Sequence, residues 1–132
     1  MAYYLLDTDA IIDYLAGIGS SVALIQDLNN RGESLCVSDV VIAETYSGLR
    51  PQDRDKAQRL LSACFFLATT PEAAQRAGEL RYDYARRGIT LSTADVLVAA
   101  TALAHNAAIV TGNRDHYPMD ELEMLSLPRA KR

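Results

Sequence analysis

Asp7, Glu44, Asp95 and the pair Asn113/Asp115 are the groups whose positions suggest chemistry, because each lies where an apolar run ends or where a helix begins or passes through the core. In Leu5-Leu6-Asp7-Thr8-Asp9, two acids directly follow the apolar run Tyr3 to Leu6, which reads as a buried strand. The carboxyl end of such a strand is where open α/β sheets build their sites, although an Asp there serves equally well as the N-cap of the next helix. Asp9 opens that helix and reads as an ordinary exposed residue. Glu44 shares a mostly apolar stripe with Val40 and Gly48, so it is either an ordinary solvated glutamate or an acid facing the core, which is costly unless paired or metal-bound. Asp95 begins the run Val96 to Ala104, which has no polar face and must be buried; the helix dipole alone favours an acid in that first turn. Four carboxylates gathered at one crevice repel by about 4 kcal/mol per close pair at an effective dielectric of ~20, so their assembly calls for a cation. Oxygen-only ligation, with no cysteine or convergent histidine, selects a hard ion such as Mg²⁺ or Mn²⁺.

The elements that must hold these groups alternate in type. Tyr3 to Leu6 reads as a strand, followed by a helix from Thr8 to Ala16 stopped by Gly17 and a second from Ser20 to Asn30 ended by Gly32. Leu35 to Val37 is the second strand, and Ser38 caps a helix reaching Leu49. Pro51 opens a helix to Ala63, and Cys64 to Leu67 forms a third strand. Thr70 and Pro71 start a long amphipathic helix to Arg87, closed by Gly88. Thr93 caps the apolar helix from Ala94 to His105. Ala108 to Thr111 and Met124 to Ser126 complete the strands, the last at a sheet edge. Strands alternating with helices predict an α/β fold of three layers, α/β/α, with a central parallel sheet of four to five strands. The 132 residues fit a single domain spanning 1–132, with 128–132 as a short flexible basic tail.

Composition narrows the chemistry further. The formal net charge of −4 argues against broad attraction to nucleic acid but allows a local basic rim. Eleven of the thirteen basic residues are arginine, which leaves only Lys56 and Lys131 for lysine chemistry, and neither suits a phosphate loop or a Schiff base. Cys36 and Cys64 lie in apolar segments without metal-binding spacing and read as reduced core residues. No apolar stretch reaches the roughly 18 residues of a spanning helix, and the N-terminus lacks the pattern of a secretory peptide. No membrane association and a cytoplasmic location are expected.

Taken together and in order, Leu6-Asp7-Thr8-Asp9, Ser38 with Glu44, Ser92-Thr93-Ala94-Asp95 followed by Ala99-Ala100, and Val110-Thr111-Gly112-Asn113 resemble the PIN domain. The chain is similar in length to the VapC toxins of bacterial toxin-antitoxin pairs. This resemblance implies a Mg²⁺- or Mn²⁺-dependent endoribonuclease that leaves a 5′-phosphate and inhibits translation. Asp7 and Asp95 would hold the metal, with Glu44 as ligand or as acceptor for a bound water. Many relatives carry an Asp where this chain has Asn113, and Asp115 follows two residues later; either could complete the site, and one or two metals remain open. Thr8, Thr93 and Thr111 are candidate supporting hydroxyls, or plain caps and turn residues. Arg81, Arg86, Arg87 and Arg114 are candidate RNA contacts, with a solvated helix face as the alternative. His116 and Tyr117 would stack a base or simply pack. The resemblance also implies a homodimer and a VapB-type antitoxin, whose arginine among the carboxylates would mimic the metal's charge.

Two rivals share parts of this pattern. Asp7-Thr8-Asp9 is also the DxD of a haloacid-dehalogenase-type phosphatase, which needs a nucleophilic Asp7 and a lysine near the phosphate. A catalytically inactive PIN-like binding module is the other, suggested by Asn113.

Overall fold

Leu5 and Leu6 have no exposed surface, so consecutive residues of the first strand, which face opposite sides of a sheet, are both covered. That demands helices on both faces. In the computed structural model, which describes residues 2–128, this strand is the middle one of five. The elements follow in the order β1 (Tyr3–Leu6), α1 (Thr8–Leu15), α2 (Gly19–Asn30), β2 (Ser34–Ser38), α3 (Asp39–Gly48) and α4 (Arg54–Ser62). Then come β3 (Phe65–Leu67), α5 (Pro71–Arg86), α6 (Thr93–Ala104), β4 (Ala108–Thr111) and β5 (Met124–Ser126).

All pairings are parallel, in the strand order β3-β2-β1-β4-β5. The chain steps outward from β1 to β3 and then returns past β1 to β4. Right-handed crossovers put the helices of these two halves on opposite faces of the sheet, which gives the expected three layers. The reversal lies between β1 and β4, and open α/β sheets place their binding crevice beyond the carboxyl ends of the strands at such a point. Asp7 is the first residue past β1, and its amide still donates to the Val110 carbonyl of β4 at 3.0 Å.

Local signals explain most boundaries. Gly17 and Gly88 adopt φ of +74° and +79° just past α1 and α5, where a side chain would be strained. Thr70 caps α5 through the Ala73 amide, with Pro71 at its first position. Helix α6 is as buried as its composition requires, with Val96, Val98, Ala99, Ala100 and Ala102 all in the core.

Four expectations need correction. The Pro51 to Ala63 segment is a 3₁₀ turn over Pro51–Asp53 followed by α4, a tightening common at helix starts and held here by Arg50 Nε donating to Asp53 Oδ2 at 3.0 Å. Strand β3, an edge strand, starts at Phe65 and not at Cys64, because the Cys64 amide still donates to the Leu61 carbonyl at the end of α4, at 3.1 Å. Ser92, not Thr93, caps α6: its Oγ accepts from the Asp95 amide at 3.0 Å. In α3 the core-facing residues are Val41 and Thr45, and Glu44, about 100° round the helix from Thr45, is exposed, so its core-facing reading gives way to the solvated one.

Residues 129–132 of the expected tail lie outside the described residues, while the Pro128 carbonyl accepts from the Ser20 hydroxyl at 3.3 Å. Among the described residues no single helix is long and apolar enough to cross a membrane.

Both cysteines are free. Burial, and secondarily the neighbouring Cys36, push the Cys64 thiol up to about 11, so it stays protonated and unreactive at neutral pH. Alkylation of Cys64 by iodoacetamide, followed by mass spectrometry, is expected to be slow at pH 8 and to accelerate as pH rises toward 11. Ser92→Ala, which removes the α6 cap, is expected to lower unfolding free energy in urea by about 1 kcal/mol.

Candidate active site

Strand β1 ends on Asp7, which is only 7 % exposed. A buried carboxylate needs donors, and Asp7 has three. Its Oδ1 accepts from the Thr8 amide at 2.9 Å. Its Oδ2 accepts from the Thr111 hydroxyl at 2.9 Å and from the Tyr117 hydroxyl at 2.9 Å. Asp7 is thus both the N-cap of α1 and a polar centre tied to the far side of the crevice.

Thr8 links Asp7 to Glu44. Its amide serves Asp7, and its hydroxyl donates to Glu44 Oε1 at 3.0 Å, bringing α3 to the mouth of the crevice. Asp95 reaches the same place from the start of α6, where Ser92 holds its backbone and His116 Nδ1 stands 3.5 Å from its Oδ2. Tyr117 reports the convergence. Its phenol is pushed far above the usual range, first by burial, then by the Asp7 charge and hydrogen bond, and then by the charges of Asp95 and Glu44.

The donor set is all oxygen from three carboxylates at one sheet-end crevice, which fits a hard divalent cation in kind. Among the described residues no three such groups stand close enough together to hold one ion, and Glu44 is exposed while the Asp95 side chain is 23 % exposed.

The other candidates separate cleanly. Asp9, read as an ordinary exposed residue, is half-buried, and its Oδ2 accepts from the Gly112 amide at 2.8 Å and from Asn113 Nδ2 at 3.0 Å. Asn113 therefore acts through its amide as a donor to Asp9. Asp115 is exposed on a 3₁₀ turn, Arg114–His116, and bonds to none of these acids. Thr93 is exposed and lines a groove of about 500 Å³ between α5 and α6. Arg81 and Arg86 line the same groove, Arg81 with its Nε on the Leu91 carbonyl at 2.9 Å and Arg86 stacked over Tyr82 at 4.2 Å. Arg87 stacks on Tyr84 at 4.0 Å, and Arg114 donates to Ser126 Oγ at 3.0 Å.

Sequence reasoning misses the roles of Tyr117 and Asp9. Tyr117 is buried, as the packing alternative has it, but nothing in its polar loop before a proline signals the bond to Asp7. For Asp9, the available signal is its spacing, since a helix start after β1 faces the end of β4 in this topology.

The phosphatase reading fails on geometry. The one lysine among the described residues, Lys56, donates its Nζ to the carbonyl of Leu15 at 2.7 Å, at the opposite end of α1 from Asp7.

The model of the PIN domain matches residues 4–122. The chain is 33 % identical over 117 residues to Ribonuclease VapC19 of Mycobacterium tuberculosis, covering 87 % of this chain and 92 % of that one. It is 32 % identical over 117 residues to Ribonuclease VapC10 of the same organism, covering 89 % and 87 %. In structure it is similar to the DNA-bound VapBC of Salmonella typhimurium, with a TM-score of 0.83, 21 % identity and coverage of 97 % and 100 %. VapBC2 of Rickettsia felis, bound to a promoter DNA fragment, gives a TM-score of 0.82 at 23 % identity with coverage of 96 % and 99 %. With its site acids at the switch point of a parallel sheet and this kinship over nearly its whole length, the chain belongs to the PIN-domain family and to its VapC branch.

Proposed function

We propose that the protein is an endoribonuclease that hydrolyses RNA phosphodiester bonds with Mg²⁺ or Mn²⁺, and that it acts in the cytoplasm as the toxin of a toxin-antitoxin pair. The observation that carries this reading is the buried Asp7, linked through Thr8 to Glu44 and sharing its crevice with Asp95, in a chain a third identical to ribonucleases.

Asp7, Glu44 and Asp95 would hold the ion. When bound, it supplies positive charge to the phosphate oxygens and lowers the pKa of an attacking water. The chain's own residues do the rest. Thr8 and Thr111 orient Asp7, and Glu44 either completes the ligand set or accepts a hydrogen bond from the attacking water. Arg81 and Arg86 bind phosphates along the groove between α5 and α6, which offsets the negative net charge locally. Asp115 is dispensable in this scheme, because it is exposed and apart from the clamp on Asp7.

The partners follow the same reading. The similar structures are complexes named VapBC, which supports a VapB-type antitoxin as partner. A homodimer is the proposed assembly.

Purified Asp7→Asn and Asp95→Asn are each expected to lose RNA cleavage in Mn²⁺ by about two orders of magnitude or more, with unchanged circular dichroism, while Asp115→Asn retains it. Full cleavage by Asp7→Asn would sink the nuclease reading. Absence of cleavage by the wild type across Mg²⁺ and Mn²⁺, with cellular toxicity unaffected by Asp7→Asn, would favour the non-catalytic module. Arg81→Ala with Arg86→Ala is expected to raise KM for RNA with little change in kcat. The log-log salt slope of RNA binding should fall by about 0.7 for each phosphate that an arginine no longer neutralises.

A further inference from the structure

Tyr117 lies in the connection 112–123 between β4 and β5, where it is 1 % exposed and among the largest fully buried side chains. Its ring fills core space that a phenylalanine would fill equally well. The hydroxyl is a different matter, because a buried hydroxyl costs free energy unless it is hydrogen-bonded. Its partner is Asp7 Oδ2, at 2.9 Å.

The second donor to the same oxygen is directional. Thr111 Oγ1 accepts from the Asn113 amide at 3.0 Å, so its single hydrogen is directed to Asp7 Oδ2 at 2.9 Å. Two O–H groups thereby occupy Oδ2. Oδ1 receives only the Thr8 amide, at 2.9 Å. One oxygen of Asp7 is committed to the protein, and the other keeps capacity for a further partner.

From this asymmetry, and resting on the nuclease reading above, we infer that Tyr117 is a positioning residue: with Thr111 it fixes the Asp7 carboxylate so that a divalent cation is bound through Oδ1 alone. Tyr117 acts on the ion only through Asp7. Partners that orient a ligating carboxylate typically change metal affinity or activity by about 10- to 100-fold when removed. Tyr84 provides the contrast. It is likewise buried, and its hydroxyl donates to the Pro118 carbonyl at 3.2 Å, a bond that touches no acid.

The test is Mn²⁺ binding to the purified, RNA-free protein, read by electron paramagnetic resonance of the free ion, for wild type, Tyr117→Phe and Tyr84→Phe. Tyr117→Phe keeps the ring and is expected to keep its fold by circular dichroism while its Mn²⁺ affinity falls about tenfold. RNA cleavage by this variant should drop at limiting Mn²⁺ and return toward the wild-type rate at saturation. Tyr84→Phe should bind Mn²⁺ like the wild type even if its melting temperature falls further. Equal affinity in Tyr117→Phe and wild type overturns the inference, as does an equal loss in Tyr84→Phe, which would mark a general loosening of packing. If Asp7→Asn cleaves RNA normally, the nuclease reading fails whatever Tyr117 does. If Asp7→Asn is inactive and Tyr117→Phe binds Mn²⁺ normally, only the positioning role fails.

Discussion

A carboxylate buried at the reversal point of the sheet is the constraint on which the rest of the structure depends. Removing an ion from water costs several kcal/mol even after relaxation. Asp7 offsets that cost with three donors at 2.9 Å: the Thr8 amide, the Thr111 hydroxyl and the Tyr117 hydroxyl. Hydrogen bonds to a charged group contribute about 1.5–3 kcal/mol each, so three are enough to hold it. They come from the start of α1, the end of β4 and the connection to β5. The acid therefore ties together the segments that must meet for the crevice to exist, and the crevice is built from the same bonds that make its charge tolerable.

Asp9 extends this tie and explains Asn113. Two residues beyond Asp7, it takes the Gly112 amide and the Asn113 side chain on one oxygen. An aspartate at 113 would set a carboxylate against Asp9, with a repulsion of about 4 kcal/mol at close range and an effective dielectric of ~20. Asparagine turns that repulsion into a hydrogen bond. Asn113 is thus matched to the acid at position 9, and the pair latches the β4 loop onto α1.

Much of this is legible in the sequence. Apolar runs and caps locate β1, α1, α5, α6 and β4 to within a residue or two, because Gly17, Thr70, Pro71 and Gly88 act through local backbone physics. Asp7 and Asp95 are legible through their places at element ends, and Glu44 through the apolar stripe it shares within α3. What stays hidden depends on contacts across the chain. Tyr117 meets Asp7 over 110 positions of sequence, and Asn113 meets Asp9 over 104, and no local pattern encodes either pairing. The choice between the two readings of Glu44 is hidden for a related reason: its apolar neighbours leave burial open, and the face that α3 buries is set by where the sheet lies.

The three acids differ in exposure in a way that suits a cation site. Asp7 is nearly enclosed, Asp95 is about a quarter exposed in its side chain, and Glu44 is open to solvent. Like charges packed into a dry pocket would destabilise the fold, whereas water screens charges at a surface. Placing one acid inside and two at the rim keeps the repulsion small. The rim acids are also lightly held, Glu44 by one hydroxyl and Asp95 by a largely exposed His116 at 3.5 Å, a kind of pair that contributes about 1 kcal/mol or less. Their reorientation toward a cation would thus cost little, with Asp7, held by three donors, as the fixed reference.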